Sequence, residues 1–169
     1  MSELEKYSHY FSNLNTAKRF GFKAPHKAIL LLSVIESIEC GLINNNRVEL
    51  TESLEAIFLK LWEIYVGDSI IFQPKIATPF WHLQNEPFWN LYLHSGENLN
   101  TVRNPYSVQK LRLETVAFID GDLYRLLKDS ESREKFKKIL IRTYLRKQSI
   151  PDSALSIVTI IGTLINIAA

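Results

Sequence analysis

Ala24-Pro-His-Lys-Ala-Ile-Leu-Leu-Leu-Ser-Val-Ile-Glu-Ser-Ile-Glu39 is the stretch on which the fold turns. Proline fixes φ near the helical value and lacks an N–H that a first turn would leave unpaired anyway, so Pro25 is well placed to open a helix. From His26 to about Glu39 the apolar residues Ile29, Leu30, Leu31, Leu32, Val34, Ile35 and Ile38 fall on nearly every side. A helix that is apolar all round belongs in the middle of a domain. Cys40-Gly41 supplies its stop.

Outward from that helix, most of the chain reads as amphipathic segments. About Glu3 to Asn15 carries Leu4, Tyr7, Tyr10, Phe11 and Leu14 at helical spacing. Lys18 to Lys27 interleaves basic and aromatic residues and reads as a loop. Asn44-Asn-Asn46 is a turn, Arg47 to Leu50 alternates like a short strand, and Thr51 opens a helix running to about Val66. Phe80-Trp-His-Leu83 and Phe88-Trp-Asn-Leu-Tyr92, separated by Gln84-Asn-Glu-Pro87, read as the two arms of a hairpin. A short helix after Tyr106, a strand at Val116 to Ile119, and helices at Asp122 to Leu127 and about Ser132 to Arg146 complete the pattern. The expectation is an α+β, mainly helical single domain over 1–150 with a small antiparallel hairpin or sheet. The apolar tail 151–169 reads as a terminal helix or the lead-in to a further domain. Its uncharged run, Ser153 to Ala169, is shorter than the roughly 20 residues of a membrane helix and is diluted by polar residues, so no membrane partner is expected.

Composition narrows the function. The 169 residues are 46% hydrophobic and 22% charged, and the net charge is +2, so any binding to nucleic acid has to come from local clustering of charge. The lone cysteine, Cys40, allows no internal disulfide and suits a reducing cytoplasm as a structural thiol. His9, His26, His82 and His94 lack metal-type spacing, and no phosphate loop, nucleophile elbow or zinc-protease motif occurs. No catalytic residue, metal or cofactor is therefore expected.

Two segments look selected for more than packing. His26 and Lys27 fall in the opening turn of a helix, where free N–H groups and the dipole favour an anion. The alternative is that His26 caps the helix and Lys27 points into water. In Ile76-Ala-Thr-Pro-Phe-Trp-His-Leu-Gln84 the aromatics read mostly as core, whereas Pro79 and His82 are harder to place there.

Pro-His-Lys before an apolar helix, Pro-Phe-Trp-His-Leu-Gln, and a Phe-Trp about ten residues on together resemble the sulfur-binding domains of McrA-type HNH restriction endonucleases. Ala117-Phe-Ile-Asp-Gly-Asp-Leu-Tyr-Arg-Leu-Leu127 and the helix to Leu145 extend the likeness over most of Lys18 to Leu145. The resemblance implies a reader of double-stranded DNA in which sulfur replaces a non-bridging phosphate oxygen, working in bacterial defence. It also implies an HNH nuclease as partner in cis or trans, since no HNH motif is present. It places the binding pair on His26 and Lys27, the pocket proline on Pro79, the pocket surroundings on Thr78, Trp81 and His82, and a basic loop residue on Arg103. Thr78 stands where members of the family carry an aromatic residue, so one pocket wall differs. Lys18, Arg19, Lys23 and Lys75 would join Arg103 as phosphate contacts, with Asn104 and Tyr106 at base edges. The basic run Arg133 to Lys147 reads as a solvated helix face. Two weaker readings fit the residues: a general DNA-binding or protein-interaction module without sulfur selectivity, and a metal-dependent nuclease.

Overall fold

A computed structural model describes residues 1–145; the tail 151–169 lies outside them. The central helix is α2, His26–Glu39, with Pro25 as its N-cap. From Lys27 to Ile38 every residue but Glu36 is buried. The two serines in this run are satisfied in place: Ser33 donates to the Ile29 carbonyl and Ser37 to that of Ser33, each at 2.7 Å. Gly41 takes φ 74 just past the end, the left-handed value a helix stop requires.

Around α2 lie α1 (Glu3–Ser12), α3 (Glu52–Tyr65), α4 (Ala77–His82), α5 (Val108–Glu114), α6 (Gly121–Lys128) and α7 (Ser130–Leu140), which continues into a π-helical turn at Ile141–Leu145. Ser2 and Glu5 form a capping box on α1, and Thr51 caps α3 through its hydroxyl. The main sheet has three antiparallel strands in the order β3 (Arg47–Val48), β5 (Thr115–Ile119), β4 (Trp89–Leu93). Trp89, Leu91 and Leu93 face inward, while Asn90 and Tyr92 face solvent. A second, two-stranded piece pairs β1 (Lys18–Arg19) with β2 (Phe22–Lys23), so the basic segment expected as a loop is a tight hairpin.

The aromatic runs expected to pair with each other do not. Phe80-Trp-His-Leu83 is not a strand: residues through His82 belong to α4, a 3₁₀ turn follows at Leu83–Asn85, and β4 pairs with β5. Four residues are too few to separate a period of 2 from one of 3.6. Burial of Phe80 and Leu83, three apart, with Trp81 and His82 only half-buried, is the helical pattern. Pro79 does not prevent it, because it is the third residue of α4 and its missing N–H would have had no partner within the helix. Cys40 lies at the helix end as expected and is exposed.

The π-helical turn at Ile141–Leu145 braces the segment after α1. The buried Tyr144 hydroxyl donates to the Phe11 carbonyl at 2.9 Å and accepts from the Leu14 N–H at 2.8 Å. This fixes the segment leaving α1, which forms one edge of the cleft described next.

Candidate nucleic-acid interface

Where β1 and β2 lead into the start of α2, a cleft of about 710 Å³ opens against the segment 71–75 and helix α4. Eight of the residues singled out in the sequence line it: Arg19, His26, Lys27, Lys75, Thr78, Pro79, His82 and Tyr106. Lys18, Lys23, Trp81, Arg103 and Asn104 do not. The Lys23 ammonium instead lies 5.2 Å from the centre of the Tyr144 ring. Trp81 packs half-buried against the core. Arg103 and Asn104 are exposed, in the loop that delivers Tyr106.

The floor is apolar. Pro79, buried on the first turn of α4, shares the cleft with apolar Ala17, Ala24, Ile71 and Phe72, while Asn15, Thr16, Gln73 and Asn85 add polar lining. Opposite stands the opening turn of α2, which has no side-chain cap. Its first N–H groups therefore have no partner within the helix, and two of its residues, His26 and Lys27, line the cleft.

Lys27 is 6% exposed, neither solvated nor free. Its Nζ lies 2.5 Å from Oε1 of Glu86, which is 7% exposed. The same oxygen accepts the Asn15 N–H at 2.9 Å. One carboxylate thus ties the start of α2 to the segment after α1, and the charge of Lys27 is met inside the fold. The uncommitted positive charge sits at the rim: Arg19 and Lys75 are exposed, and neither pairs with a carboxylate among the described residues. Glu86 was read as part of a turn, and nothing in the sequence marks its pairing with a lysine 59 positions away.

Both cleft histidines are held by neighbours. His26 Nε2–H donates to the Gln73 carbonyl at 2.8 Å, and its ring lies 4.8 Å from that of Trp62. Burial pushes the His26 pKa below its ordinary value; the Gln73 carbonyl opposes this, and Arg19 reinforces it. His82 is also lowered, by burial first and Lys27 second. Its Nε2 shares a hydrogen bond with the Tyr106 hydroxyl at 3.1 Å, which draws the 103–106 loop to the cleft.

A pH effect on stability follows from His26. With the folded pKa below the unfolded one, the unfolded chain binds more protons once pH falls through the ordinary histidine range near 6.5. Stability is therefore full above that range and is lost as pH drops through it toward the folded pKa. Urea midpoints measured from pH 7.5 to 5 should fall, and His26→Gln should flatten part of that fall. An unchanged slope in the variant would assign the loss to other groups.

Among the described residues no group of three or more His, Cys, Asp and Glu converges on a point. No curated protein matches the sequence. A sequence model of the ScoMcrA-like DNA sulfur-binding domain, by contrast, matches residues 5–160, so the likeness runs through almost the whole chain and the protein belongs to that family.

Proposed function

We propose that this protein binds double-stranded DNA at a phosphorothioate linkage, with the sulfur against the apolar floor at Pro79 and the charged oxygen toward the α2 amino end and the rim cations. In this reading it is a non-catalytic reader of a cytoplasmic restriction or defence system, acting with an HNH nuclease in cis or trans. The observation that carries the proposal is the juxtaposition, in one cleft of a sulfur-binding-domain family member, of a buried proline floor and an uncapped helix start, with exposed Arg19 and Lys75 above.

Sulfur is larger and more polarisable than oxygen and a poor hydrogen-bond acceptor, so an apolar floor receives it at little cost. An ordinary phosphate oxygen there loses hydration without compensation, a penalty of about 1–3 kcal/mol. Selectivity then comes mainly from rejecting the normal backbone. Neutralisation of Lys27 by Glu86 supports this, since a free ammonium beside the floor would reward oxygen as well as sulfur.

The test is fluorescence anisotropy with a short duplex carrying one stereodefined phosphorothioate, beside its unmodified twin, across several sequence contexts. The sulfur duplex should bind about 5- to 150-fold tighter, the ratio to which that desolvation penalty converts. Equal affinity in every context would leave a general DNA-binding module in its place.

The rim charges have a separate signature. Arg19→Ala and Lys75→Ala should each reduce the slope of log affinity against log salt by about 0.9, the value for one phosphate contact on duplex DNA. Both duplexes should be affected alike, leaving the sulfur preference in place. An unchanged slope would remove that residue from the contact.

A further inference from the structure

At the rim of the cleft the β1–β2 hairpin presents a feature that packing does not require. Its register, Lys18 opposite Lys23 and Arg19 opposite Phe22, leaves Phe20 and Gly21 as a two-residue turn. Both have positive φ, 52 for Phe20 and 82 for Gly21. A turn with φ positive at both central residues favours Asn-Gly, because asparagine tolerates the left-handed region and a bulky side chain does not. Phenylalanine is a costly choice there, and it gains no burial in return: Phe20 is 69% exposed. The inward half of the hairpin is served by Phe22, which packs against the core. Exposed Lys18 and Arg19 precede the ring, and Arg19 lines the cleft.

We infer that Phe20 is a DNA contact, an apolar tip that enters the groove beside the bound linkage while Arg19 and Lys18 hold the flanking phosphates. The inference rests on the proposed DNA reading, because it is the clustered positive charge around the ring that selects a polyanion as its partner. Apolar side chains carried into a groove on a basic arm pack on base edges or wedge at a base step, and their contribution needs no hydrogen bond. Strain kept at an exposed turn is the local signature of a position selected for contact over stability.

The turn geometry supplies a clean variant. Phe20→Asn removes the ring and installs the residue the turn prefers, so the fold should be kept and the melting temperature unchanged or raised. Affinity for the sulfur duplex and for its unmodified twin should both fall about tenfold or more, the worth of burying one phenyl group. The ratio between the two duplexes should persist, and Phe20→Trp should restore most of the affinity. If Phe20→Asn binds both duplexes as the wild type does, the inference is overturned, whatever the sulfur preference. If the wild type shows no sulfur preference but Phe20→Asn still binds more weakly, the contact stands and the sulfur reading fails. Absence of wild-type binding to any duplex at low salt would overturn both.

Discussion

Glu86→Ala should cost about 3–5 kcal/mol of folding stability, the loss expected when one member of a buried ion pair is removed and the other is left behind. Lys27 is 6% exposed, so its ammonium cannot turn to water without disturbing the start of α2. The Asn15 N–H loses its acceptor in the same step. The pair is not for that reason a net source of stability, because desolvating two charges offsets most of their attraction. Lys27→Met combined with Glu86→Leu should therefore recover most of the loss, leaving only the unpaired Asn15 N–H. Urea unfolding of Lys27→Met, Glu86→Leu and the double variant closes the cycle. A Glu86→Ala loss below about 1 kcal/mol, the scale of an exposed pair, would show that the carboxylate is solvated and the tie is not made. The same logic governs Lys27→Ala. It leaves the Glu86 carboxylate unpaired beside the cleft, where the proposed reading puts the phosphate, so weaker DNA binding by that variant would not make Lys27 a direct contact.

How much of this was legible beforehand depends on whether local pattern or distant pairing decided the matter. The central helix was open to reading because thirteen consecutive positions after Pro25 leave almost no polar face, and one local rule covers them. The strands at Arg47 and Val116 showed themselves by alternation or β-branching beside turn residues. Phe80 to Leu83 did not, since a four-residue aromatic run suits either period. Only the tertiary burial of Phe80 and Leu83, three apart, with Trp81 and His82 half-buried, shows the helical period. At the cleft, Pro79 and His82 were visible as residues hard to place in the core, and His26 as a residue at a helix start. Lys27 was visible too, but as a solvated or phosphate-binding cation, because its partner Glu86 lies 59 positions away behind a proline. Phe20 and Gly21 looked like loop composition; the strain that singles out Phe20 appears only as a backbone angle. The family itself was legible from Pro25-His-Lys27 with Pro79-Phe-Trp-His-Leu-Gln84, and the match over 5–160 bears it out.

Pro79→Glu should abolish measurable preference for sulfur and weaken binding of the sulfur duplex by about a hundredfold or more. Position 79 is buried on the first turn of α4, so the fold is kept only if the carboxylate reaches into the cleft, where the helix dipole favours it and no backbone hydrogen bond is forfeited; thermal melting checks this. The change is not tolerable to the ligand. The new carboxylate would lie where the floor meets the modified phosphate, and two unit charges about 4 Å apart repel by ~4 kcal/mol at the effective dielectric of a protein surface. Screening by salt lowers that figure, so the loss should be partly relieved as ionic strength rises, the reverse of the trend for the wild type. Pro79→Ala separates charge from shape. It trims the ring without adding an anion, so it should reduce the sulfur preference while leaving affinity for the unmodified twin near its original value. A Pro79→Glu protein that folds normally and still prefers the sulfur duplex as the wild type does would mean that sulfur sits elsewhere on this domain. The apolar floor would then be a packing surface, and the helix start, Arg19 and Lys75 would have to supply recognition without it.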